Sequence, residues 1–244
     1  MKRLKNLLFF ILLLIQAFTS VNGQVNKPIK VACIGDSITE GFGLTKEESY
    51  PEKLKALLGT EYQVMNYGVS GTTMLKDPND GGTLDEKHWS YWESEVGPGD
   101  GGKEQYDLAL ASIPDIIIIK FGTNDAREEV WRSGEGYGKK NFYNNYVEFI
   151  NSFRAVNPNV IVYICYSLPS LKDQTTDQRS RIREEVIPVI KQVARKNQAH
   201  LIDLHSVFRG KTGLLQADDV HPNAAGAELI ANEVFKMIKM TYKP

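Results

Sequence analysis

The sequence predicts an α/β fold, a three-layer sandwich around a five-stranded parallel sheet in the flavodoxin-like order 2-1-3-4-5. Two observations carry this. Short β-rich runs alternate with longer amphipathic stretches along the chain. One run holds four consecutive isoleucines, Ile116 to Ile119, the pattern of a strand covered on both faces. Sheets of this kind bind ligands at the carboxyl ends of their strands, beside the switch point between strands 1 and 3.

The elements follow in order. Lys2, Arg3 and Lys5 precede nine apolar residues, Leu7 to Ile15, and small or polar residues run on to Gly23. That order reads as a secretory signal peptide over residues 1–23, since nine apolar residues are too few to span a bilayer. The chain is therefore expected to be exported, to the periplasm or beyond, with residues 24–244 forming one domain. Residues 29–34 read as the first strand and end at Gly35-Asp36-Ser37. Residues 50–58 have helical spacing and stop at Gly59; residues 62–67 form the second strand, ending at Gly68-Val69-Ser70-Gly71. The isoleucine strand, 115–121, ends at Gly122-Thr123-Asn124-Asp125. A helix over 142–156 leads to a fourth strand over 160–166. A long helix over 176–197 carries Pro188 inside it, which predicts a kink. A fifth strand over 199–204 and a closing helix over 222–240, with Pro222 in its first turn, complete the pattern. Three glycine-bearing turns thus converge on one edge of the sheet.

Composition narrows the function classes. The chain carries 29 basic and 30 acidic residues; without Lys2, Arg3 and Lys5 the balance is 26 against 30. Nothing in it suggests nucleic acid or an anionic membrane as partner, and no second apolar span predicts stable membrane insertion. Two cysteines, Cys33 and Cys165, invite a disulfide in an oxidising compartment. They fall on strands 1 and 4, which strand 3 separates. Two inter-strand steps hold them roughly 10 Å apart, too far to bond.

Ser37 sits in a turn directly after a strand, where its hydroxyl can stand at the lip of the cleft. Serines in turns are more commonly helix caps, and Gly-Asp-Ser is not the α/β-hydrolase elbow, because Thr39 occupies the position that motif gives to glycine. A serine hydroxyl needs a neighbouring base, and imidazole matches neutral pH. Asp218-Asp219-Val220-His221 offers one, with an aspartate three residues earlier to orient the ring. Acyl transfer also requires donors for a developing oxyanion. The backbone N–H groups of Ser37 and Gly71 and the side-chain amide of Asn124 are candidates.

Together these blocks resemble the SGNH (GDSL) hydrolases. Gly35-Asp36-Ser37 is similar to the first family block, Asn66 to Gly71 to the second, Gly122 to Asp125 to the third, and Asp218-x-x-His221 to the last. The resemblance implies Ser37 as nucleophile, His221 as base, Asp218 as its partner, and an oxyanion hole of Ser37, Gly71 and Asn124. It covers essentially the whole mature chain and implies no cofactor. With an export signal and the run Gly35-Asp36-Ser37-Ile38-Thr39-Glu40, it further implies acetyl esters on carbohydrates, such as sialic acid or plant and algal polysaccharides. Alternatives of the same fold are a lipase, lysophospholipase or thioesterase; a non-catalytic carbohydrate-binding protein is another.

The departure from the family lies at about 75–112, longer than a compact member needs and rich in glycine, aspartate and aromatics. It reads as an insertion. Trp89, Tyr91 and Trp92 are read in two ways: they pin the long loop to the body, or one or more face the cleft and offer an aromatic surface to a sugar, with Trp131 and Tyr137 as an opposite wall. His88 is expected to be exposed. His200 and His205 flank the fifth strand without a third ligand, so no metal is expected.

Overall fold

The computed structural model describes residues 27–76, 89–93, 101–131, 137–169 and 176–243. The expected signal segment and His88 lie outside the described residues, as does the side chain of Tyr137. Five parallel strands form the main sheet: β1 Ile29–Gly35, β2 Tyr62–Gly68, β5 Ile116–Lys120, β6 Ile161–Cys165 and β7 His200–Ile202, in the order β2-β1-β5-β6-β7. Two short strands, β3 Thr72–Thr73 and β4 Trp89–Ser90, pair with each other between β2 and β5 in sequence. Counting long strands alone, this is the order 2-1-3-4-5.

Ile116 to Ile119 are fully buried. A strand alternates its side chains, so Ile117 and Ile119 join one core while Ile116 and Ile118 join the other. The first core packs against helices Gly101–Ala111, Tyr137–Val156 and Ile187–Asn197; the second packs against Tyr50–Leu58 and Ala224–Thr241. Each such side chain contributes about 1.5–3 kcal/mol by leaving water. Cys33 and Cys165 are both buried and free. Cys33 is in register with Ile118 of β5, which is in register with Tyr163 of β6, so a whole strand intervenes. Burial pushes both thiols up, Cys165 to about 12.

Several boundaries differ from the expectation, each for a physical reason. The helix carrying Pro188 continues from Thr176 to Asn197, but through a π-helical segment, Ile182–Val186, in which the Ile187 N–H reaches the Ile182 carbonyl. Proline lacks an N–H and crowds the preceding turn, and the wider π turn absorbs both. The closing helix starts at Ala224 rather than Pro222, because Asn223 caps it by accepting from the N–H groups of Ala225 and Gly226. Pro222 instead bridges to Leu215.

Part of the stretch 75–112, read above as an insertion, is regular structure. Helix Gly101–Ala111 packs on β2, β4 and helix Tyr137–Val156, and buries Ala109. It is the crossover helix that two parallel strands require, not an addition to the fold.

Candidate active site

The turn after β1 begins a four-residue helix, Ser37–Glu40, with Asp36 as its N-cap. Asp36 Oδ1 accepts from the Ile38 N–H at 3.0 Å. As first residue of the helix, Ser37 has no intrahelical acceptor for its own N–H. Gly68, at the end of β2, lets this helix sit close: a Cβ there would lie 2.1 Å from the Glu40 nitrogen. Gly71 has φ +77°, a left-handed conformation that turns the β2 loop back toward the cleft.

The last block folds into a tight loop. Asp219 has φ +56°, a conformation that aspartate tolerates better than most residues. The turn lets Asp218 Oδ1 accept from the N–H groups of Val220 (2.9 Å) and His221 (3.0 Å), while its Oδ2 lies 2.6 Å from His221 Nδ1. Partial burial alone would raise the Asp218 carboxyl, but these hydrogen bonds outweigh it and hold the group below its ordinary value. On the other side of the ring, His221 Nε2 lies 2.8 Å from Ser37 Oγ. Residues 184 apart in sequence therefore form a continuous chain, Asp218 to His221 to Ser37.

Asn124 follows β5 at the same sheet edge. Its Nδ2 donates to the Thr72 carbonyl at 2.9 Å, and an amide nitrogen carries a second hydrogen. Asp125, fully buried, accepts from Leu75 N–H and Gly122 N–H, each at 3.0 Å. Burial pushes its carboxyl up to about 7, although those backbone donors act the other way. These bonds tie the turn after β5 to the loop after β2.

Sequence reasoning missed several residues here. Lys120 and Asp36 form an ion pair at 3.0 Å with side chains only 1% exposed. The signal was available: Lys120 is the one charge on a strand of isoleucines covered on both faces. Gln216 Nε2 donates to Phe42 O at 2.7 Å and Pro222 O at 2.9 Å, clamping the nucleophile loop to the histidine loop. Phe42, about half exposed at 51%, places its ring 4.6 Å from that of His221. Nothing in its sequence surroundings marked it.

The expected aromatic walls are corrected. Trp92 is buried; its Nε1 donates to Met74 O at 2.9 Å and its ring packs edge-on against Phe149. Tyr91 is buried, with its hydroxyl on Tyr67 O at 2.6 Å. Trp131 is buried against Phe142, and its Nε1 bonds Glu185 at 3.1 Å. These rings fill the first core, because the sheet offers apolar surface that the long loop must cover. Trp89 is half-buried, and its backbone N–H donates to Gly71 O. His200 stacks on Tyr163, and His205 Nδ1 lies 3.2 Å from Ser167 O.

The GDSL-like lipase/acylhydrolase family model matches residues 33–229, from inside β1 into the closing helix, and so spans all four blocks. The chain belongs to this family. An acetylxylan esterase of Xylanibacter ruminicola is 30% identical over 242 aligned positions, covering 90% of this chain and 45% of that protein. The chain thus spans about half the length of that relative. Among solved structures, the lipase/acylhydrolase from Enterococcus faecalis superposes with a TM-score of 0.61 at 23% identity, covering 88% of this GDSL hydrolase and 98% of that chain. The acetyl xylan esterase AlAXEase gives 0.62 at 21% identity, covering 86% and 100%. Both likenesses concern the fold.

Proposed function

We propose that this GDSL hydrolase removes O-acetyl groups from a plant polysaccharide of the xylan class through an acetyl-enzyme on Ser37. The observation that carries the reading is the unbroken chain from Asp218 Oδ2 through His221 to Ser37 Oγ, at 2.6 and 2.8 Å. His221 Nε2 takes the Ser37 proton as Oγ attacks the acetyl carbonyl carbon. The carbonyl oxygen becomes an oxyanion facing the N–H groups of Ser37 and Gly71 and the second Asn124 amide hydrogen. The intermediate collapses, the C–O bond to the sugar breaks, and His221 returns the proton to the leaving sugar oxygen. Water then attacks acetyl-Ser37, with His221 again as base, and acetate leaves. Asp218 keeps the proton on Nδ1, so Nε2 is free to accept.

The acetylxylan esterase relative supports an acetylated polysaccharide as substrate. Export through residues 1–23 belongs to the same reading, since a polymeric carbohydrate does not enter the cell. The experiment is acetate release from acetylated xylan, measured beside 4-nitrophenyl esters of short and long chains. Release from xylan and a preference for acetate over octanoate are expected, with both activities lost in Ser37→Ala. Turnover confined to long-chain esters would overturn the substrate class. Full activity in Ser37→Ala would overturn the mechanism.

A further inference from the structure

The ammonium of Lys120 has three hydrogens and three acceptors: Asp36 Oδ1 at 3.1 Å, Asp36 Oδ2 at 3.0 Å and Thr123 Oγ1 at 2.8 Å. All three residues are buried. Asp36 immediately precedes Ser37, and Thr123 immediately precedes Asn124. One side chain, rooted at the last residue of the most buried strand, therefore holds two of the three turns that carry the proposed oxyanion donors.

Stability alone does not account for this arrangement. A buried ion pair must repay the loss of water around both charges, and apolar residues of similar volume commonly do as well or better. The four preceding positions of β5 are isoleucine and fully buried. What an ion pair with three short bonds supplies, and an apolar contact does not, is a fixed distance. Oxyanion stabilisation depends on that: its donors must lie about 2.7–3.1 Å from the point where charge develops. Further bonds hold the bridged turns. The Ile38 N–H is on Asp36, and Gln178 Nε2 donates to the Thr123 carbonyl at 3.2 Å.

We propose that Lys120 is a positioning residue that sets the separation of the Ser37 and Asn124 donors by bridging Asp36 to Thr123. The inference rests on the reading of the site as a serine esterase. Lys120 touches no reacting atom; it acts through the two turns it joins.

Thr123→Val provides the test, because it removes the hydroxyl acceptor at nearly constant volume and leaves the Asp36 ion pair in place. With 4-nitrophenyl acetate, kcat is expected to fall about tenfold with KM within about twofold, since misplacement by a fraction of an ångström acts on the transition state. Thr123→Ser, which restores the hydroxyl, should recover most of the loss. The decisive comparison is the same substitution in an Asn124→Ala background. There the donor being positioned is gone, so Thr123→Val should lower kcat by less than about twofold. A merely structural role would cost the same factor in both backgrounds, and that outcome overturns the proposal, as does an unchanged kcat in Thr123→Val. Should Thr123→Val melt early, Lys120→Met combined with Asp36→Asn removes both charges while keeping an acceptor for Ile38. The same fall in kcat and the same loss of effect in the Asn124→Ala background are expected of it. Failure of the underlying reading looks different: Ser37→Ala would then retain turnover.

Discussion

The Phe42 ring lies 4.6 Å from the imidazole of His221, tilted by 38°, with half its surface in solvent. On the proposed mechanism His221 hands its proton to the leaving oxygen, so a leaving sugar would pass beside this ring, which can pack on a sugar's apolar face. Phe42→Ala should lower kcat/KM on acetylated xylan about tenfold, equivalent to about 1.4 kcal/mol. Turnover of ethyl acetate, whose leaving group has nothing to stack, should stay within about twofold. Equal losses on the two substrates would show that the ring serves His221 and not the leaving group.

Asp218 serves two functions that one substitution separates. Its Oδ1 holds the turn through two backbone N–H groups and its Oδ2 holds the ring. In Asp218→Asn the remaining oxygen stays on the backbone donors, which turns the amide NH₂ toward His221 Nδ1. That donor forces the imidazole proton onto Nε2, where it cannot accept from Ser37. Loss of kcat by about 10⁴ is expected, with the melting temperature nearly unchanged. Asp218→Ala should lower both. A kcat within tenfold of the parent in Asp218→Asn would refute the orienting role.

How much of this was legible in the sequence depended on the range of the interaction. Ser37, Asp218, His221 and Asn124 each lie in a short block that ends a strand or enters a helix, and the structure brings all four to one sheet edge. Periodicity gave helix Tyr50–Leu58 to the residue, because its apolar spacing and its stop at Gly59 are local. What local pattern could not give was partnership across the fold. Lys120 finds Asp36 across 84 residues, and Gln216 finds Phe42 across 174. The tryptophans misled for the same reason. An aromatic cluster in a long polar loop is compatible with a cleft wall or a core plug, and only the sheet surface beneath Trp92 decides for the core.

Asn124→Ala should lower kcat by roughly 10²–10³, the usual effect of losing one oxyanion donor. Because Asn124 also donates to Thr72 O, the variant should lose about 1 kcal/mol of stability as well. KM should move little, since the charge it meets exists only in the transition state. A sharp rise in KM at constant kcat would make Asn124 a substrate-binding residue.

Asp125 predicts a pH dependence of stability with a definite sign. Burial raises its carboxyl from an ordinary value of 3.8 to about 7. The folded state therefore holds its proton more tightly than the unfolded chain. Its favourable contribution is full below pH 3.8 and is lost as pH rises through about 7. Asp125→Asn has no such proton and places an NH₂ against one of two backbone N–H groups, so it should melt earlier than the parent at acid pH. That deficit should shrink between about pH 4 and about pH 7, where the unfolded parent has ionised and the folded carboxyl still holds its proton, and level off above that. A deficit that grew with pH would reverse the assignment.

Trp89 and Trp92 stand three residues apart and are expected to behave as different kinds of residue. Trp92 is 5% exposed, donates to Met74 O and packs on Phe149. Trp92→Ala opens a cavity in the first core and leaves a buried carbonyl without its donor, which should cost about 3–5 kcal/mol. Every substrate should suffer alike, because Trp92 acts through the core and its bond to Met74 O. Trp89 is half-buried, and its main chain is bonded to Gly71, a proposed oxyanion donor. Its main chain is thus tied beside Gly71, and Trp89 belongs to neither hydrophobic core. Trp89→Ala retains the backbone bond, so the melting temperature should fall by less than in Trp92→Ala. Activity on acetylated xylan should fall at least fivefold, roughly 1 kcal/mol of transition-state binding, with ethyl acetate nearly unaffected. Thermal melts paired with kinetics on the two substrates separate the cases. Parallel losses in Trp89→Ala on both substrates would make it a second anchor of the loop, and would leave Phe42 as the aromatic surface for the sugar.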